Sequence, residues 1–419
     1  MKIQSTLKIM LFSQYFIWGC WLVTFASYAM GTLKFIGSEV GFIFSSLGLA
    51  AVVMPPVVGI IADKWISANR IYIFCHLISA ASLYGMSTIA DSSAMFWMML
   101  LNAVAYMPTI ALSNTISYFS LEKNGQGVLD FPSIRIWGTI GFIIAMWLIS
   151  FLGFEVSRNQ LYIASGASVF LALFSLTLPR VVSSAKSTKT TWLQKTGLDA
   201  FVLFRQKNIA VFLLFATLLG SILQITNTFG NPFLFLHHLA ALPGAENSVI
   251  ARYPSVLLSI SQISEVVFIL AIPFLMSRLG LKRVILLSMI AWVARFGLFA
   301  YGDFTSAIGV SMLLLSMIVY GCAFDFFNVS GSMYMARVAG EEMRASAQGL
   351  FMTMVNGFGL YIGSIISGHV IDYFTVNGVQ DWSSFWLVFS CYALILAAVF
   401  WLVYRGESQE SGQVSSASQ

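Results

Sequence analysis

SAIGVSMLLLSMIVYGCAFDFFNVSGSMYM, residues 306–335, contains thirty residues and one charge, Asp325. A helix that crosses the hydrocarbon core of a bilayer needs about 20 apolar residues. The run is long enough, and it predicts a membrane-spanning helix. Its charge is the exception that needs a reason. A carboxylate at bilayer depth costs roughly 2.5–3.5 kcal/mol on insertion scales. Glu265, in SISQISE at 259–265, is the other acid inside a long apolar run. Intramembrane acids serve proton transfer, ion coupling or substrate binding in transporters. The structural alternatives are an ion pair with a neighbouring Arg, or a neutral acid hydrogen-bonded within a bundle.

Composition extends this reading to the whole chain. Of 419 residues, 58% are hydrophobic and 9% charged, with a mean hydropathy of +0.84. Soluble domains carry about 25% charged residues, so the chain is expected to be a polytopic membrane protein lying in the lipid bilayer. Its basic balance does not imply nucleic acid, because the cations follow topology. Cys20, Cys75, Cys322 and Cys391 are scattered without CxxC spacing, so neither a metal site nor a disulfide framework is indicated. The apolar run after Lys8 is longer than a signal-peptide core and is read as a retained first span.

Runs bounded by charge, Gly or Pro give twelve candidate spans, near 6–31, 38–62, 71–90, 93–118, 133–153, 159–179, 208–235, 253–276, 283–301, 306–335, 345–371 and 382–404. With the N-terminus in the cytoplasm, 17 of the 22 Lys and Arg fall on the cytoplasmic side, six of them between Arg180 and Lys207. That asymmetry supports an even span count and two cytoplasmic termini. The halves also echo each other at roughly 210 positions: Gln14 with Gln224, Arg135 with Arg344, and the turn after Gly59 with that at Arg278–Arg283. The expected organisation is an all-α protein of two six-helix bundles, 1–180 and 208–404, joined by a cytoplasmic linker at 181–207 and followed by a polar tail at 405–419. GIIADKW at 59–65 resembles the loop motif of the major facilitator superfamily. Its Asp63 and Lys64 are candidate residues of a cytoplasmic gate, and a plain charged loop is the alternative.

Absent motifs narrow the chemistry. No GxxxxGK[ST], HExxH or GxSxG occurs, which argues against an ATP-driven pump or a membrane enzyme. Transport along an ion gradient, or passive transport, remains. Polar residues then cluster by helical spacing. Gln224 and Asn227 share a face, as do Gln262 and Glu265. Tyr320 and Phe324 are four apart, with Asp325 about 100° further round. Arg135, Thr139 and Phe142 form one stripe. Amides, carboxylates, one cation and aromatic rings suit a polar ligand with a flat ring. The same amides would serve as interhelical glue. His76 and His369 are ambiguous, His237 and His238 read as interfacial, and Arg295, which either pairs with an acid in the bundle or snorkels, reads as structural. Gly357, Gly359 and Gly363 permit close helix packing.

SSLGLAAVVMPP at 45–56, AYMPTIALSNTISYF at 105–119, FPSIRIWGTIGF at 131–142, LQITNTFGNPFL at 223–234, YGCAFDFFNVSG at 320–331 and RASAQGLFMTMVNG at 344–357 resemble the nucleoside:proton symporters of the major facilitator superfamily. The resemblance spans about residues 6–404. It implies a nucleoside site contacted by Gln224, Asn227, Gln262 and Glu265 and lined by Arg135, Thr139, Phe142, Tyr320 and Phe324. It gives Asp325 the look of the coupling acid, with Glu265 second. It further implies a monomer in the bacterial inner membrane whose partners are nucleoside and proton, with no cofactor and no enzymatic activity. From the residues alone, a carrier of another polar solute such as a sugar, or a non-transporting receptor, stays open.

Overall fold

The computed structural model describes residues 3–64, 66–125, 130–179, 198–241 and 252–404. The described residues are helical almost throughout, as the apolar runs require. The helices are α1 (Ile3–Gly19), α2 (Phe25–Gly31), α3 (Gly37–Lys64), α4 (Ala68–Met86), α5 (Ser92–Lys123), α6 (Phe131–Phe151), α7 (Asn159–Phe174), α8 (Lys207–Leu223), α9 (Ile225–Ala241), α10 (Pro254–Ile269), α11 (Ile272–Tyr301), α12 (Ala307–Val338), α13 (Gly340–Met352), α14 (Leu360–Tyr373) and α15 (Trp382–Val403). Among the described residues, nine helices are long and apolar enough to cross a membrane, and Pro254–Ile269 is a shorter apolar one. These helices make the protein a multi-pass membrane protein.

Local chemistry explains several ends. Asp91 caps α5 by accepting from the Ala94 amide at 2.8 Å, and Ser306 caps α12 from the Gly309 amide at 2.9 Å. Pro254 stands at the start of α10, where a missing N–H costs nothing. Asn377 and Gly378, both with positive φ, close a two-residue hairpin between Thr375–Val376 and Val379–Gln380.

Hydropathy does not see the breaks. The first apolar run, expected as one span at 6–31, is two helices separated by 20–24. The run at 208–235 breaks at Gln224. The run at 253–276 breaks after Ile269, and Gly280 (φ 73°) interrupts α11 where the next span was expected to begin. A π-helical turn over Thr353–Gly359 joins α13 to α14; such turns recur at functional sites. Within the described part of the expected linker, Leu198–Arg205 is a 3-10 helix, and Lys207 already begins α8.

The chain divides into two compact units. One comprises Met1–Thr196, Leu223–Ser259 and Asn356–Asp381; the other comprises Gly197–Ile222, Ile260–Val355 and Trp382–Gln419. Within the first unit, α1 packs on α6 and α7, α3 on α5 and α14, α4 on α5 and α7, and α2 on α9. Within the second, α11 packs on α12 and α15, and α12 on α13. Aromatic layers fill the second unit: Phe296 stacks on Trp386 at 5.7 Å, and Phe212 on Phe351 at 5.8 Å.

Candidate substrate and proton site

The second unit holds the two intramembrane acids. Their approach is set by Gly321, whose bare Cα lets α12 lie against α10. A Cβ there would stand 2.5 Å from the Ser264 carbonyl and 2.8 Å from the Glu265 nitrogen. The Gly321 amide donates to Ser264 Oγ at 2.9 Å, and that hydroxyl donates to the Ser261 carbonyl at 2.9 Å. Glu265 follows Ser264 directly, and Asp325 lies one turn beyond Gly321 on the same face. The contact therefore delivers both acids to one region. Tyr320, only 2% exposed, has its hydroxyl within hydrogen-bonding reach of Glu265, and the Asp325 charge also acts on it. Tyr320 and Phe324 stack at 5.5 Å with planes 20° apart, as their spacing of four predicts. Asp325 is 5% exposed, and its Oδ2 makes no hydrogen bond among the described residues. Gln262, Glu265 and Phe324 are half-buried.

Arg295 completes this cluster, and the sequence reading set it aside as structural. Its side chain is 1% exposed. It donates to the Ser316 carbonyl at 2.7 Å and to Ser261 Oγ at 3.4 Å. Its guanidinium lies 4.3 Å from the Tyr320 ring centre and 5.1 Å from that of Phe299. Tyr320 and, after it, Glu265 lie close enough to act on its charge. A lone Arg at mid-span carried the signal, but a hydropathy pattern does not say which acid an Arg meets. The cluster therefore places one acid (Glu265) near a cation and leaves the other (Asp325) with an unsatisfied oxygen.

The first unit holds the other candidates. Arg135 lies 4.1 Å from the Tyr15 ring centre. A Cβ at Gly138 would sit 2.6 Å from that ring and 2.8 Å from Arg135 Nη1, so the glycine makes room for the stack. Thr139 is half-buried and Phe142 buried on the same helix. Asn227 Nδ2 donates to Gln224 Oε1 at 3.2 Å, at the break between α8 and α9. The pair keeps donors and acceptors for a ring edge. Beneath Arg135 lies a network that spacing did not reveal. Gln14 Nε2 donates to Thr109 Oγ1 at 2.7 Å, while Gln14 Oε1 accepts from the Tyr72 hydroxyl at 2.6 Å and contacts His76 Nε2 at 2.9 Å. Every hydrogen-bonding group of the Gln14 amide but one N–H is thus assigned. His76 is locked into this core.

Other candidates fare differently. The side chains of Asp63, Lys64, His237 and His238 lie outside the described residues. His369 is exposed, and Gly357, Gly359 and Gly363 are buried. Among the described residues, no group of three or more His, Cys, Asp or Glu is placed to hold a metal ion.

Comparison with known proteins shows the family. The family model described as "Nucleoside H+ symporter" matches residues 1–409. The xanthosine permease of Escherichia coli is 55% identical over 97% of this chain and 96% of its own length. The nucleoside permease NupG of the same organism is 50% identical over 97% of this chain and 96% of its own. The crystal structure of nucleoside transporter NupG superposes with a TM-score of 0.91 at 49% identity, covering 97% of this chain and 100% of that one. A bacterial homologue of the lysosomal transporter Spinster, 15% identical, shares the fold alone, with a TM-score of 0.70. These relatives are carriers rather than enzymes, and with the family model matching nearly end to end, this chain belongs to the nucleoside:H+ symporter family.

Proposed function

We propose that the protein takes up nucleosides with protons across the bacterial inner membrane by alternating access. The observation that carries this reading is the cluster of Glu265, Asp325, Tyr320, Phe324 and Arg295 at membrane depth. It joins a carboxyl with an unsatisfied oxygen to a stacked aromatic pair, so a proton site and a ring site adjoin. Arg135, Thr139, Phe142, Gln224, Asn227 and Gln262 supply the remaining contacts to base and ribose. Asp325 takes the coupled proton, and Glu265, held by Tyr320 and Arg295, responds to its charge. The carrier works as a monomer and needs no cofactor beyond the proton. Its two six-helix halves, 1–180 and 208–404, rock about the ligand, with both termini cytoplasmic and Asp63 and Lys64 at the inner gate.

One proton crossing 100 mV supplies about 2.3 kcal/mol, enough for a solute gradient of roughly 40-fold before any pH term. A single titrating carboxyl therefore suffices. Purified protein in liposomes tests the reading. Labelled uridine and xanthosine are expected to accumulate when the interior is made alkaline, and a protonophore is expected to collapse the gradient. Accumulation that ignores the protonophore would refute proton coupling, and failure to take up any nucleoside would refute the substrate class. Competition by unlabelled purine and pyrimidine nucleosides then ranks substrates.

A further inference from the structure

Two acids outside the apolar runs, Glu155 and Asp372, do matching work within the first unit. Glu155 lies in the short connection between α6 and α7 and is 3% exposed. Its Oε1 accepts from the backbone N–H of Ser255 at 3.0 Å and from Asn231 Nδ2 at 3.5 Å. Asn231 Nδ2 also donates to Ser255 Oγ at 2.9 Å, and Asn231 Oδ1 accepts from Ser27 Oγ on α2. Asp372 sits near the end of α14. Its Oδ1 accepts from the Gly37 amide at 2.6 Å and its Oδ2 from the Ser38 amide at 2.8 Å.

Ser255 is the second residue of α10, and Gly37 and Ser38 are the first two of α3. The first amides of a helix have no intrahelical acceptor, and a carboxylate there gains from both the hydrogen bond and the helix dipole. Each acid thus caps a helix supplied by the other half of the sequence. Glu155 comes before the connection at 181–207 and caps a helix after it, while Asp372 does the reverse. Glu155 and Asp372 are 217 positions apart, and so are Ser38 and Ser255. That spacing agrees with the duplication read from Gln14 and Gln224. The two caps are one device used twice. An open cavity of about 620 Å³ lies beside them, with Gly37, Asp372 and Val156, the neighbour of Glu155, among its lining residues.

We infer that Glu155 and Asp372 are the paired latches of the outer gate, each holding shut the mouth of the carrier by capping a helix of the opposite half. The inference rests on the alternating-access reading for its direction: both caps lie at the ends of spans opposite the cytoplasmic 181–207 connection. To open outward, α10 must leave the α6–α7 connection and α3 must leave α14, and both sets of amides then turn to water. The caps break together because the halves move as bodies.

The test reads the gate without using nucleoside, so its outcome is independent of the substrate assignment. Ser259, 1% exposed and bonded to Trp147 Nε1 at 2.8 Å, lies one turn below Ser255 and serves as the reporter position. Ser259→Cys protein in oriented vesicles is treated with a membrane-impermeant maleimide from outside, and labelling of that peptide is followed by mass spectrometry. Adding Glu155→Gln or Asp372→Asn is expected to raise the labelling rate about tenfold, because each removes a charge-assisted bond from the closed state only. Both together are expected to exceed either one. Glu155→Ala and Asp372→Ala, which remove the acceptor altogether, repeat the measurement. Unchanged labelling in all of these variants, with the protein folded and monodisperse, would overturn the inference. So would lowered thermal stability with no change in labelling, the mark of a purely structural cap.

Discussion

Substituting alanine for Gly321 adds one methyl group at the seam that brings the two intramembrane acids together. The new Cβ would lie 2.5 Å from the Ser264 carbonyl group and 2.8 Å from the Glu265 nitrogen, where ordinary contact begins near 3.4 Å. All of these neighbours are backbone, so no rotamer change relieves the clash. The helices must separate by about 1 Å, and overpacking of that kind costs about 1–3 kcal/mol. The separation also stretches the Gly321–Ser264 hydrogen bond and moves Glu265 from the Tyr320 hydroxyl. Gly321→Ala is therefore expected to lower the thermal unfolding temperature in detergent and to weaken nucleoside binding by at least about fivefold, the factor that 1 kcal/mol represents. Gly166→Ala is the control. No atom lies within 4 Å of its added Cβ, so helix propensity alone acts there, in favour of alanine by up to about 1 kcal/mol. Thermal melts and equilibrium binding on the two variants decide the matter. If Gly321→Ala melts and binds as the parent does, the close approach of α10 and α12 does not position the acids.

Two further outcomes follow from the same geometry. Arg295→Met is expected to leave Glu265 without its cation and Tyr320 without its stacked guanidinium. Arg295 is 1% exposed and bonds the Ser316 carbonyl, so a loss of thermal stability is expected, and a double-mutant cycle with Glu265→Gln measures how much of it the nearby acid carries. In the loop before α12, Thr305 and Ser306 donate to Asp303, and these bonds, Thr305's hydroxyl first, hold its carboxyl below the ordinary value. The stabilisation is present above the usual carboxylate range and is lost as pH falls through the lowered value. Amide exchange at Thr305 and Ser306, corrected for intrinsic rate, is expected to rise on acidification and to be pH-insensitive in Asp303→Ala.

Length and hydropathy made the helices legible, because a bilayer demands long apolar runs. Helical spacing made the short-range pairs legible too. Tyr320 and Phe324 stack, and Asn227 bonds Gln224, as their spacings of four and three require. What stayed hidden depends on which helix meets which. The turn at 20–24 is as apolar as its flanks, so composition leaves no mark there. Arg295 reads as a cation in a span until α11 is seen beside α10 and α12. Glu155 and Asp372 fall outside the apolar runs, where an acid is unremarkable by composition. Only tertiary contact reveals that they cap distant helices.

The central claim is that Asp325 carries the coupled proton beside a nucleoside site. Asp325→Asn in liposomes, assayed for uphill uptake under an imposed proton gradient and for nucleoside counterflow without one, tests it most directly. The account predicts that uphill uptake disappears while counterflow persists. Full concentrative uptake by the Asn variant, still abolished by a protonophore, would contradict it.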